Sequence, residues 1–278
     1  MQTKTLQIFL ITGAAILSAA LYLAPRNAPS SDKIPVSEAT VNKGFNFDDL
    51  LMFQNKNLSE EERIKSETWM KDIQQPASRL NLSLYDSLAG IWDQKKMFAL
   101  SAYYYEQKAE KDHSEKSYIN AAFRYFDAYK SAIDSSLKVN MVEKAIKNYT
   151  KVIALNPKNL DAKTDLAILY AEATPEPMKG IMMLREVIAE NPNHENAQLN
   201  LGFLSVKSGQ FEKALERFDK VLEINPKYID AYLLKAQVYV QMNEKQKAID
   251  NFEKYKKLST DLNTIQQVND YIAQLNKK

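Results

Sequence analysis

The chain's only two imidazoles are His113 and His194, and each stands alone at a loop or turn position. General-base or metal work needs converging partners around an imidazole, and neither has them nearby in sequence. The acidic pairs Asp48-Asp49 and Glu60-Glu61 sit where helices begin, so they suit the N-terminal dipole better than hydrolysis. Cysteine is absent, which excludes disulfides, thiolate metal sites, cysteine nucleophiles and a lipid-modified N-terminal cysteine. There is no glycine-rich phosphate loop and no nucleophile elbow. No catalytic residue, metal or cofactor is therefore expected, and the chain does not read as an enzyme. The tyrosines at 103, 104, 105, 118, 125 and 129 could form a stacking patch for a ligand. Their spacing favours another use. Tyr118, Ala121, Ala122, Tyr125 and Ala128 form one helical stripe, and Phe123 with Phe126 belong to a second. A helix apolar on two sides is buried between neighbours, so core is preferred to an exposed aromatic patch.

The elements that must carry these residues are helices. Apolar residues make up 45% of the 278, and no proline lies between Pro76 and Pro157, a stretch rich in Ala, Lys, Tyr and Leu. No segment alternates with period two between turns, as a strand would. The net charge is +2, from 37 basic and 35 acidic residues that are interspersed. Without a basic stripe to release counterions, nucleic acid is not the expected partner.

The segment Glu195–Tyr228 is followed in the same register by Ile229 onward, so that at a spacing of 34 residues Gly202 meets Ala236, Ala214 meets Ala248 and Phe218 meets Phe252. Upstream, Ala167, Tyr170, Val187 and Pro192 fill the same slots after one extra residue in the turn, where Gly180 stands for the second small residue. Gly209 and Asn243 stand where a left-handed residue closes the first helix of a unit. Pro157, Pro192 and Pro226 end the second helices. This pattern resembles the tetratricopeptide repeat family. Farther upstream the repeat is degenerate. Ala102 and Tyr105 match first-helix slots, and Ala121, Tyr125 and Ala128 match second-helix slots across a hairpin about seven residues too long. Ala145, Tyr149, Val152 and Pro157 then mark a second helix whose partner is the helix before it.

Leu6–Ala24 is uncharged and long enough, at about 1.5 Å per residue, to cross a bilayer core of about 30 Å. It reads as an uncleaved anchor, as a cleavable signal peptide or as a buried helix of a soluble fold, in that order of preference. Retention is favoured because Leu21, Tyr22 and Leu23 continue the apolar run beyond Ala20 and Pro25 follows directly. The expected organisation is an anchor over 1–24, a flexible linker over 25–44 and an N-terminal helical segment over 45–78. Degenerate, extended repeat-like helices follow over 79–159, then repeats at 160–194, 195–228 and 229–262, and a capping helix over 263–278. The fold class is all-α, and the resemblance implies a right-handed solenoid of helical hairpins. The folded part is expected on the outer, periplasmic side of an inner membrane; the cytoplasmic side stays open, because Lys4 on one flank and Arg26 and Lys33 on the other barely discriminate.

The same resemblance implies a protein or peptide ligand held on a concave surface lined by the first helix of each unit. Carried over by position, that surface comprises Asp161, Thr164, Asp165, Ile168 and Glu172, then Leu199, Asn200, Phe203 and Lys207, then Asp230, Leu233, Leu234, Gln237 and Gln241. Leu199, Phe203 and Leu233 are either ligand contacts or covered by neighbouring helices. The carboxylate clamp of the family's cochaperone members is not present: of its basic and amide positions only Asn200 matches. A scaffold or chaperone-like adaptor is the leading expectation. The alternatives are self-association through the N-terminal helices, FNFDDLLMFQ included, and an auxiliary subunit of a membrane or secretion complex.

Overall fold

The computed structural model describes residues 46–75 and 81–277. The stretches expected as anchor and linker lie outside these residues. Within them every regular element is helical. A short α1 (Phe47–Gln54) leads into α2 (Glu60–Asp72), and α2 begins as its sequence dictates. Ser59 Oγ accepts from the Glu62 amide at 3.3 Å while Glu62 Oε2 accepts from the Ser59 amide at 2.8 Å, a reciprocal capping box.

Five antiparallel hairpins follow among the described residues: α3 (Ser83–Gln94) with α4 (Phe98–Asp112), α5 (Glu115–Ser131) with α6 (Ser135–Leu155), α7 (Leu160–Ala173) with α8 (Pro177–Glu190), α9 (Glu195–Lys207) with α10 (Phe211–Ile224), and α11 (Asp230–Gln241) with α12 (Lys245–Leu258). Helix α13 (Leu262–Lys277) packs on α12 through Val268, with Ile272 and Leu275 beside it. Small residues set the approach within a hairpin. A Cβ on Gly180 would lie 2.2 Å from the Ala167 carbonyl oxygen, and one on Gly202 would lie 2.5 Å from the Phe218 ring, so both glycines are needed for contact between their helices.

The upstream register differs from the one the small residues suggest. Ala102 and Tyr105 lie on the second helix of the α3–α4 hairpin, and Ala121, Tyr125 and Ala128 lie on a first helix, α5, that pairs with α6. The turns explain it. Lys96 (φ 58°), Gly209 (φ 72°) and Asn243 (φ 59°) are the same left-handed residue in three hairpins. After each, an amide reaches back five residues: Met97 to the Trp92 carbonyl at 2.8 Å, Gln210 to Ser205 at 2.8 Å and Glu244 to Tyr239 at 2.9 Å. A lysine in a glycine slot hides this turn from pattern matching.

The α5–α6 hairpin is built from helices of 17 and 21 residues, against 13 and 14 for α9–α10. Both hairpins are tied at the same end. Asn156 Nδ2 donates to Glu115 Oε1 at 3.1 Å in the long one, and Asn225 Nδ2 donates to Glu195 Oε2 at 3.1 Å in the ordinary one. The additional length consequently emerges at the α5–α6 turn, where Ile133 is 97% exposed.

Of the clustered tyrosines, Tyr104, Tyr118 and Tyr125 are buried, and Tyr103, Tyr105 and Tyr129 are half-buried against the same cores. Phe47 of α1 stacks on Tyr103 at 4.9 Å and meets Tyr125 edge-on at 6.2 Å, and Leu50 and Leu51 also face inward. Phe47, Leu50 and Leu51 of FNFDDLLMFQ thus serve packing, while Met52 and Phe53 are left exposed.

Candidate partner-binding face

Three first helices begin with an equivalent cap. Ser114 Oγ accepts from the Ser117 amide, Asn159 Oδ1 from the Ala162 amide and His194 Nδ1 from the Ala197 amide, at 3.2, 2.8 and 3.3 Å. His194 also places Nε2 3.2 Å from Asp161 Oδ1, joining the start of α9 to the start of α7. That is its role: a cap and a tie between repeats.

These caps fix a common register along the face of the first helices. Nine residues beyond each cap stand Phe123, Ile168 and Phe203; thirteen beyond stand Asp127, Glu172 and Lys207. Phe123 and Phe203 are 44% and 37% exposed, unusual for phenylalanine in a packed array. Phe203 rests its edge on the buried Phe218 at 5.8 Å, so its position is fixed from beneath while its outer surface stays open. Between α7 and α9 the side chains of Ile168, Glu172, Asn200, Phe203 and Leu204 converge around a shallow notch floored by Ala171.

The other positions expected on this face divide by burial. Lys207 and Gln241 are exposed, and Gln237 is half-buried. Leu199 and Leu233 are covered, at 3% and 8% exposure, Leu233 in the core with Ala236, Ala248 and Phe252. Thr164 and Leu234 are buried as well. Leu199 and Leu233 are therefore covered by neighbouring helices, whereas Phe203 is open to solvent. The Asn200 amide donates to the Asn196 carbonyl at 2.7 Å, which orients the side chain and leaves its oxygen available.

Asp165 is mostly enclosed and accepts from the Tyr149 hydroxyl at 3.0 Å. Burial pushes its carboxyl up to about 6; Tyr149's bond opposes this, nearby Asp161 adds to it and Lys130 again opposes it. Asp127 is also raised, by burial, although Arg124 bonds it at 3.0 Å while holding Asp93 at 2.9 Å.

Pattern reading missed two groups. Phe123 falls in an apolar stripe and yet is open, and the cap at Ser114 is the sequence signal that places it beside Phe203 in register. Glu106, buried on α4, accepts from Tyr125 at 2.7 Å, Lys144 at 2.7 Å, Asn148 at 3.2 Å and Lys147 at 3.3 Å. Burial pushes this carboxyl up, but the bonds and charges of Lys144, Tyr125 and Lys147 outweigh it and hold the group below the usual carboxylate range. Its partners lie on α5 and α6, too far along the chain for any local pattern to show. Among the described residues no three His, Asp or Glu side chains are grouped to hold a metal ion.

Comparison with known proteins bears on this geometry. A family model described as tetratricopeptide repeat matches residues 205–257, which span the end of α9 through α12. These are tetratricopeptide repeats. No curated protein matches the chain. Among solved structures, MamA protein is similar at 20% identity, covering 64% of this chain and 91% of that one with a TM-score of 0.48. A MamA fragment from Desulfovibrio magneticus RS-1 is similar at 16% identity, 64% and 94% coverage and a TM-score of 0.49. YrrB, described as a TPR protein with an unusual peptide-binding site, is similar at 18% identity, 74% and 99% coverage and a TM-score of 0.46.

Proposed function

We propose that this chain is a membrane-anchored tetratricopeptide-repeat interaction module, a scaffold or chaperone-like adaptor that holds a protein or peptide segment against its first helices. The observation that carries this reading is the notch where Ile168, Glu172, Asn200 and Phe203 meet. Apolar anchors beside a free amide oxygen suit an extended segment that offers side chains to Phe203 and Ile168 and a backbone amide to Asn200. In the right-handed superhelix that the repeats imply, this face is concave. Gln237 and Lys207 extend it toward the C-terminal repeats, and Asp165 lies behind it. The anchor rests on Leu6–Ala24 and its polar linker, and the same features favour a folded part outside the inner membrane. Among the described residues no helix is long and apolar enough to cross a membrane.

Replacing Asn200 and Phe203 together with alanine tests the groove. Capture of partners crosslinked in intact membranes is expected to fall at least tenfold while the far-ultraviolet spectrum stays helical. Unchanged capture by a folded double variant contradicts the assignment. Protease cleavage of the linker in spheroplasts but not in sealed inverted vesicles is the outcome expected for an outward-facing domain. A second reading, self-association, draws on the adjacent exposed Met52 and Phe53 of α1. Sedimentation of the soluble part decides it, because a concentration-independent monomer eliminates self-association.

A further inference from the structure

The two side chains thirteen residues beyond the caps of α7 and α9 are Glu172 and Lys207, opposite in charge and both exposed. Neither makes an ion pair with any described residue. This separates them from the rest of the face. Asp93 and Asp127 are both paired with Arg124, and Asp161 faces His194. Lys130 lies 3.9 Å above the Phe126 ring, with Asp165 in its field. Glu172 lines the notch itself, beside Ile168 and Phe203. An open apolar notch edged by one free carboxylate, with one free ammonium a single repeat farther on, is a charge pattern awaiting its complement.

From this charge pattern we infer that the segment held by the notch is a peptide in extended conformation with apolar side chains, a basic residue opposite Glu172 and an acidic residue about three positions away opposite Lys207. The inference rests on the binding face proposed above and adds the chemistry of its occupant. The spacing follows from geometry: packed helices lie about 8–10 Å apart, and an extended chain advances about 3.3 Å per residue. Crossing from α7 to α9 therefore consumes about three residues. A uniformly acidic ligand would meet Glu172 at the notch, and a uniformly basic one would meet Lys207. Like charges at such sites disfavour the wrong partner more than the correct pairs raise affinity. The acidic segment FNFDDLLMFQ of a second copy also lacks a basic residue for Glu172 and is an unsuitable occupant.

The test is selection of a random dodecapeptide library on the full-length protein in mild detergent, in parallel on the wild type and on the variants E172K, K207E and F203A. Peptides selected on the wild type are expected to carry a basic and an acidic residue about three apart beside apolar residues. They should lose about fivefold in affinity for either charge-reversed variant, a loss that shrinks at high salt. Selection on E172K should replace the basic residue by an acidic one, and selection on K207E should do the opposite. If the same sequences emerge from wild type, E172K and K207E, the charge inference is overturned. Provided those peptides still fail on F203A, the binding face itself stands. Peptides that bind F203A as well as they bind the wild type overturn the face and the inference together, and so does the absence of any enriched sequence.

Discussion

At the scale of single residues, two buried carboxylates make opposite demands on pH. Asp165, pushed up to about 6 by burial, is easier to fold when protonated. Its contribution is fully favourable below the unfolded value of 3.8 and is lost as pH rises through about 6. Asp165→Asn keeps an acceptor for Tyr149 and is expected to stabilise the array by about 2–3 kcal/mol at pH 8. Near pH 4 it should bring no gain, and urea titrations at the two pH values check this. Glu106 has the reverse sign, because its folded carboxyl is held below the unfolded value of 4.5. Its contribution is present above that value and disappears as pH falls through the lower folded one. Glu106→Gln leaves Lys144 and Lys147 without their shared acceptor charge and is expected to cost about 3 kcal/mol at neutral pH, and progressively less in acid. Neither carboxylate announced its behaviour in the sequence. Asp165 could be placed by its slot in the repeat, but its burial depends on Tyr149 of the preceding hairpin; Glu106 depends on α5 and α6 together.

At the scale of elements, turns and close approaches decide the register. Lys96 occupies the left-handed position that Gly209 fills with no side chain, so Lys96→Gly is expected to raise stability by about 1 kcal/mol and Gly209→Ala to lower it by a similar amount. Thermal melts of the two variants provide the comparison. Gly180→Ala is expected to be more costly than either, because the new methyl meets the α7 backbone, which cannot rotate away as a side chain could. The regular units were legible because their small residues recur at 34 residues and because Gly209 and the prolines at 192 and 226 punctuate them. The first two hairpins were not. Lys96 replaces the turn glycine, and the α5–α6 hairpin adds its length at the tip, so small residues on α4 and α5 mimic a single unit spread across two. The bonds that Asn156 donates to Glu115 and Asn225 donates to Glu195 are the physical markers of the true pairing.

At the scale of the whole array, hairpins stacked on one another leave their first helices to share a face, and side chains equivalent in register form rows along it. Phe123, Ile168 and Phe203 make such a row, and its two phenylalanine rings are partly open to solvent. Most of this face was readable from the repeat, including Ile168, Glu172, Asn200, Phe203 and Lys207. Coverage was not readable, since Leu199 and Leu233 occupy similar slots and are closed over by packing that no single repeat specifies. The most direct measurement is photo-crosslinking from a benzophenone amino acid placed at Phe203, compared with one at Glu216 on the exposed side of α10. A partner segment trapped from position 203 and not from 216 is the result expected if the first helices form the binding face. Equal trapping from both sites, or trapping from 216 alone, would contradict it.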